Sequence, residues 1–210
     1  RMYKYPDAVH WYDANQIPRQ LWSGGYSAET NPTLDFVEMF EGLPKNSDGT
    51  FQTTDNSGNY VLYDNLGGPF QNAEPRLKGT VLFPGDQFKG ETIEIRRGIY
   101  TGPTAGGIDR LLPVGATGTY PTDELVTSVS DNQTPYTLPD GTTMNPAGAS
   151  GFFTNISGVA GAISGFTIKK YLDPNKPTAE VTTNRSTQSW IELRYAEVLL
   201  NYAEAVYELN

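Results

Sequence analysis

The sequence contains no cysteine. That excludes a thiol nucleophile, a disulfide framework, an iron–sulfur site and any cysteine-based zinc site. Histidine occurs once, at His10. One histidine cannot build a multi-histidine metal centre, and a Ser-His-Asp triad would have to use that residue. A lone histidine near a chain end reads as a surface residue. Positive charge is also scarce: 15 Lys and Arg face 24 Asp and Glu, for a net charge of −9. This balance argues against nucleic acid, whose phosphates reward clustered Lys and Arg. It argues equally against docking on anionic lipid through a basic patch. No apolar run approaches the roughly 18 residues of a membrane-spanning helix. No charged-then-apolar leader opens the chain. The glycines at 102–107 lack the Lys-Ser/Thr that would follow in a phosphate-binding loop. The chain starts at Arg1 and reads as an internal segment, expected to be incomplete at both ends.

What is present is turn chemistry and aromatic rings. The 210 residues include 22 Gly, 15 Pro, 23 Thr and 14 Asn, residues that punctuate chains. A helical bundle or coiled coil is therefore excluded. The 13 Tyr, 9 Phe and 3 Trp are too many for a chain that buries nothing. The expectation is an irregular, loop-rich α+β fold with a few short strands and more than half the chain in loops or turns. Residues 31–40 predict a short helix, with Asn31 as N-cap, Pro32 first in the helix, and Leu34, Val37 and Phe40 on its buried face. Strand signals occupy residues 80–83, residues 92–96 with Ile93 and Ile95 on one face, and residues 166–169. Pro139-Asp140-Gly141 predicts a hairpin between Tyr136 and Met144. Residues 55–59 lack the alternating acidic ligands of a calcium loop and read as a plain turn. Residues 148–165, around Phe152-Phe153, read as a long loop. Asn132, Asn155 and Asn184 each open a glycosylation-type triplet, relevant only in a eukaryotic secretory pathway.

The last twenty residues carry the strongest pattern. Ser189 followed by Glu192 has the spacing of a capping box, and nothing breaks a helix from there to Leu209. At helical spacing, Ile191, Tyr195, Val198, Leu199, Tyr202, Val206 and Leu209 form one apolar stripe. Leu193, Ala196, Leu200, Ala203 and Tyr207 form a second. Strands and loops of residues 1–188 can cover one stripe, so one face is expected to stand open. Ala196 and Ala203 would let a neighbouring helix approach closely.

Residues 190–205, WIELRYAEVLLNYAEA, closely resemble the signature W-x-x-x-RYAEVLLxYAEA of the SusD/RagB family. Residues 31–41, NPTLDFVEMFE, are similar to the family's NPTQxLVDxFE segment. Glu74-Pro75-Arg76-Leu77 resembles its DPR(F/L) turn, with Glu in place of Asp. Residues 165–174, GFTIKKYLDP, are similar to the strand that leads into the signature helix. The resemblance spans roughly residues 20–210. It implies one segment of a cell-surface nutrient-binding lipoprotein of the Bacteroidetes outer membrane. Its 189–209 helix would then pack in a tetratricopeptide-like part of the parent. It also implies an oligosaccharide or peptide ligand, and a SusC-like TonB-dependent transporter as partner. Membrane contact would come only through a lipid anchor that this segment lacks.

Saccharides stack their C–H faces on flat aromatic rings while amides, carboxylates and guanidinium groups bond their hydroxyls. Aromatic residues in loop contexts are therefore the candidate binders: Trp22 and Tyr26 around Gly24-Gly25, Trp11 and Tyr12 beside His10, and Tyr120 and Tyr136 in polar loops. Trp190 reads as structural. No catalytic residue, metal ligand or cofactor is assigned. A glycoside hydrolase is the rival reading, since it needs only two suitably spaced carboxylates. No acidic pair stands out: Glu197, Glu204 and Glu208 share a polar helix face, and Asp109, Asp123 and Asp131 sit among turn residues. A peptide-binding surface protein and a purely structural interaction segment also fit this composition.

Overall fold

A computed structural model describes residues 6–58, 61, 63, 65–96, 98–100, 125–127, 135–137, 141, 143–151, 153–155 and 158–209. Among them are four α-helices: α1 (Tyr12–Gln16), α2 (Leu34–Glu38), α3 (Pro75–Thr80) and α4 (Tyr195–Glu208). Ten strands of two or three residues pair antiparallel into five two-stranded ribbons. They are β1 (Val81–Leu82) with β10 (Thr167–Ile168), β2 (Gln87–Phe88) with β3 (Glu91–Thr92), β4 (Gly98–Tyr100) with β5 (Leu125–Thr127), β6 (Tyr136–Thr137) with β7 (Thr143–Met144), and β8 (Phe153–Asn155) with β9 (Gly158–Ala160). The mixed, short-stranded architecture with a C-terminal helix matches the expectation from composition. Turn residues interrupt the ladders early. Between β2 and β3 only Lys89 and Gly90 intervene, both at positive φ, the backbone of a tight type I′ hairpin.

Strand β1 organises the interior. Val81 pairs with Ile168 and Leu82 with Thr167. Side chains alternate across a strand, so Val81 joins one hydrophobic cluster and Leu82 another. The first holds Ile17, Leu21, Leu82, Phe88, Ile93, Ile95, Leu172 and Val181. The second holds Val37, Phe40, Leu43, Phe70, Leu77, Val81, Phe83 and Phe166. Phe70 anchors the second: it stacks on Phe83 at 4.6 Å and meets Phe166 edge-on at 5.9 Å.

The strand expected over 92–96 keeps its alternation, with Ile93 and Ile95 buried, but only Thr92 joins a ladder. The backbone beyond bonds instead to loop 145–150, through Arg96 N to Ala147 O and Ser150 N to Glu94 O, both 2.8 Å. The Tyr136–Met144 hairpin forms in the expected place. Glu74-Pro75 opens α3, with Pro75 in the first turn, where its missing N–H costs nothing. Residues 55–58 form a turn closed by Ser57 N to Asp55 Oδ1 at 2.8 Å.

Two helix starts differ from the sequence reading. The N-cap of α2 is Thr33, whose side chain accepts from Phe36 N, rather than Asn31. Asn31 instead turns back and donates to Ala28 O at 2.7 Å. The helix consequently starts two residues late and leaves Leu34 exposed, while Val37 and Phe40 are buried. The C-terminal helix begins at Tyr195, with Arg194 as an uncapped N-cap, so Ser189 and Glu192 form no capping box. Residues 189–193 remain non-helical because Gln188 is tied down on both sides. Its side chain donates to Asp13 and to Tyr171 O, its carbonyl meets His10 Nε2 at 2.9 Å, and Trp190 packs on Tyr171. Residues 191–209 are all exposed, so neither apolar stripe is covered, where one was expected to be.

The two ends of the described chain are joined by a buried charge. The Asp13 carboxylate accepts from Lys176 Nζ at 2.7 Å, Ser186 Oγ at 3.0 Å, Asp173 N at 3.3 Å and Gln188 Nε2. The carboxylate and ammonium are both almost wholly shielded from solvent. Removing one partner strands the other charge, at a cost of about 3–5 kcal/mol. Asp13→Ala is therefore expected to lower the urea midpoint of the chain by the equivalent of about 3–5 kcal/mol, with Ser186→Ala much milder. The open α4 stripes generate a second expectation. The folded 210-residue chain should bind a hydrophobic dye, and Leu200→Glu with Tyr207→Glu should reduce that fluorescence without lowering the melting temperature of the rest.

Candidate functional site

The Asp13 network fixes more than stability. It clamps α1 and the residue before it, Trp11, against the 171–188 segment, and so brings Trp11 beside Asn184. The indole Nε1 donates to Asn184 Oδ1 at 2.7 Å. Asn184 sits at φ 58°, a left-handed conformation that asparagine tolerates better than most residues. On the other side of Trp11 stands Tyr26, carried by the turn after Gly24-Gly25. The two rings lie 6.5 Å apart between centroids, with planes within 22° of parallel. Both are open to solvent, Trp11 at 40% and Tyr26 at 61%. The pair therefore presents aromatic surface with one ring locked in orientation by a hydrogen bond and an amide at its edge.

Tyr12, the neighbour of Trp11, belongs to a different group. Its ring meets His10, Tyr171 and Trp190 edge-on at 6.4–6.5 Å. Tyr171 and Trp190 lie 4.7 Å apart. These residues with Gln188 and Ser189 line a cavity of about 130 Å³. The phenol of Tyr12 donates to Lys170 O at 2.7 Å. Burial, followed by the charge of Asp13 and then Tyr171, pushes its pKa up to about 12. His10 is half-buried rather than a plain surface residue. Its Nδ1 accepts from Tyr12 N at 3.2 Å, so the proton lies on Nε2, which donates to Gln188 O.

The remaining candidates lie elsewhere. Trp22 is half-buried against the first hydrophobic cluster, and the Arg19 guanidinium covers its ring at 4.5 Å. Burial lowers the Arg19 pKa. Tyr136 is exposed on the β6–β7 hairpin. Tyr120 lies outside the described residues, as do Phe152, Asp109, Asp123, Asp131 and the glycines at 102–107. The structure thus brings Trp11 and Tyr26 together and keeps Trp22 and Tyr136 apart from them. In the sequence, Asn184 stands out only as the head of a glycosylation triplet. Its place at the indole follows from a left-handed turn that no local pattern announces.

The raised pKa of Tyr12 sets an alkaline dependence. Unfolded, a tyrosine ionises near its ordinary value of 10.0; folded, it holds its proton to about 12. The folded state then binds the extra proton between those values, so its stability is complete below pH 10 and falls as pH rises from 10 to 12. Stability measured across that range should fall less steeply in Tyr12→Phe than in the parent chain. Tyrosinate absorbance should show one phenol fewer titrating late.

Comparison with known proteins places the chain. Its residues 4–210 match the family model described as the SusD family. No curated protein and no solved structure matches it. Among the described residues, no helix is long and apolar enough to cross a membrane. The SusD family comprises surface-associated outer-membrane lipoproteins that bind saccharides, generally without enzymatic activity, and work with a transporter. With nearly its whole length inside the family match, the chain belongs to the SusD family of cell-surface nutrient-binding proteins.

Proposed function

We propose that this chain captures an oligosaccharide at the outward-facing surface of an outer membrane. It holds the saccharide without turnover for delivery to a TonB-dependent transporter. The observation that carries this reading is the exposed Trp11–Tyr26 pair with Asn184 at its edge. A pyranose ring offers an apolar C–H face to an aromatic plane and hydroxyls to a neighbouring amide, which is the combination this pair displays. Locking the indole through Asn184 before the ligand arrives lowers the ordering cost of binding. The open apolar faces of α4 fit a helix-on-helix contact of tetratricopeptide-like character elsewhere in the protein.

The test is isothermal titration against a panel of neutral oligosaccharides, with short peptides as the competing class. Trp11→Ala is expected to weaken saccharide binding by roughly 1–3 kcal/mol, the range of an aromatic anchor. Asn184→Ala should weaken it less, by freeing the indole. Binding of peptides alone, or saccharide affinity indifferent to both Trp11→Ala and Tyr26→Ala in a folded chain, would overturn the reading. Release of reducing ends during the titration would point to the hydrolase.

A further inference from the structure

We propose that a second, separate site lies in the polar cleft between the 65–67 loop, the β2–β3 hairpin and residues 143–145. It takes an uncharged, hydroxyl-rich sugar ring and rejects acidic sugars. This rests on the reading that the ligand is a saccharide, but not on the Trp11–Tyr26 pair.

The cleft follows from the alternation of residues 92–96. Burying Ile93 and Ile95 in the first hydrophobic cluster turns Thr92, Glu94 and Arg96 to the opposite face, and all three line the cleft. Gln87, Asn65, Thr143 and Asn145 complete its polar wall. The facing segment is held close by backbone contact. Gly148, at φ +67°, brings its α-carbon so near Glu94 that a β-carbon would lie 2.6 Å from the Glu94 carbonyl oxygen. The volume is about 620 Å³, within the range of ligand clefts, roughly 300–1,000 Å³.

The chemistry of the wall selects the ligand. Arg96 and Glu94 are the two ionised side chains among the lining residues, and they pair with each other at 3.4 Å. The Arg96 side chain is only 8% exposed and that of Glu94 44% exposed. An entering carboxylate meets Glu94 first and must displace it to reach Arg96. The guanidinium is thus shielded behind its partner, and an anionic ligand is opposed by the more exposed carboxylate. What remains is three carboxamides and two hydroxyls; Gln87 Nε2 donates to Thr92 Oγ1 at 2.7 Å and Asn145 Oδ1 accepts from Ala147 N at 3.0 Å, which leaves each of these groups further donor or acceptor capacity for a hydroxyl-bearing ligand. Asn65 lines the cleft from an exposed position. Discrimination against an acidic sugar therefore falls to Glu94, because the amides and hydroxyls around it are mostly open to solvent.

The experiment uses the full 210-residue chain carrying Trp11→Ala and Tyr26→Ala, which removes the aromatic pair. Glucose and galactose, then glucuronate and galacturonate, are titrated with saturation-transfer NMR as readout. Neutral hexoses should bind, and uronates at least about tenfold more weakly. Thr143→Trp, which fills the cleft from an exposed hairpin position, should weaken hexose binding at least about tenfold at unchanged melting temperature. Asn65→Ala should weaken it severalfold and serves if the tryptophan variant fails to fold. Loss of all sugar binding in the double variant overturns this proposal while leaving the aromatic site intact. Equal binding of uronates, or hexose binding indifferent to both cleft substitutions, overturns it as well. If the unsubstituted chain binds no saccharide at all, both readings fail together. If its binding is untouched by the double substitution but abolished by Thr143→Trp, only the aromatic site fails.

Discussion

Strand β1 is the constraint on which the remaining structure depends. Two residues, Val81 and Leu82, are fully buried on opposite sides of the strand, each at the centre of a different hydrophobic cluster. Each contributes roughly 1.5–3 kcal/mol by burial alone. Its ladder partner β10 is distant in sequence, so the pairing closes a long loop before either cluster is complete. From β10 the chain runs directly into Tyr171 and Leu172, and so into the wall against which α1 docks. A chain whose strands are two or three residues long draws little stability from any one ladder. Its order comes from these two apolar clusters and from the bonds that link loops to them.

The second organising element is electrostatic. Asp13 is buried, yet its carboxylate finds an ammonium, a hydroxyl, a carboxamide and a backbone N–H. A buried ion pair is a poor source of net stability compared with well-packed apolar groups. Its value here is positional. It admits one arrangement of α1 against residues 173–188, and the Trp11–Asn184 bond and the Tyr12–Tyr171–Trp190 ring contacts both follow from that arrangement. The exposed ring pair is oriented by a charge cluster that is itself shielded from solvent.

How much of this is legible in the sequence differs by scale. The alternation of 92–96 and the Tyr136–Met144 hairpin can be read because period and turn chemistry are local. So can the mixed, loop-rich class, because composition records it. The two helix starts escape a local reading for one reason. Asn31 and Ser189 both have good capping chemistry, but each is outcompeted: Asn31 by its own bond back to Ala28 and by Thr33, Ser189 by the tether of Gln188 and the packing of Trp190. Trp11 and Tyr26 can be named singly as exposed-ring candidates. Their pairing, and the role of Asn184, needs contacts spanning most of the chain, which no local pattern encodes. The same holds for the cleft, whose walls come from separate segments of the chain.

The position of β1 between two clusters also shapes how the sequence can change. Substitutions well inside one cluster lie apart from those well inside the other, so their effects on stability largely add, except near Ile95, which shares a cavity with Phe70 and Phe166. Positions 81 and 82 are different. A larger residue at one presses the strand toward the other cluster, and a compensating change must then arise across the strand rather than beside it. Sequence drift in the two halves of the interior is therefore coupled chiefly through this dipeptide and through the cavity that Ile95 shares with Phe70 and Phe166, where the history of one half constrains what the other can accept.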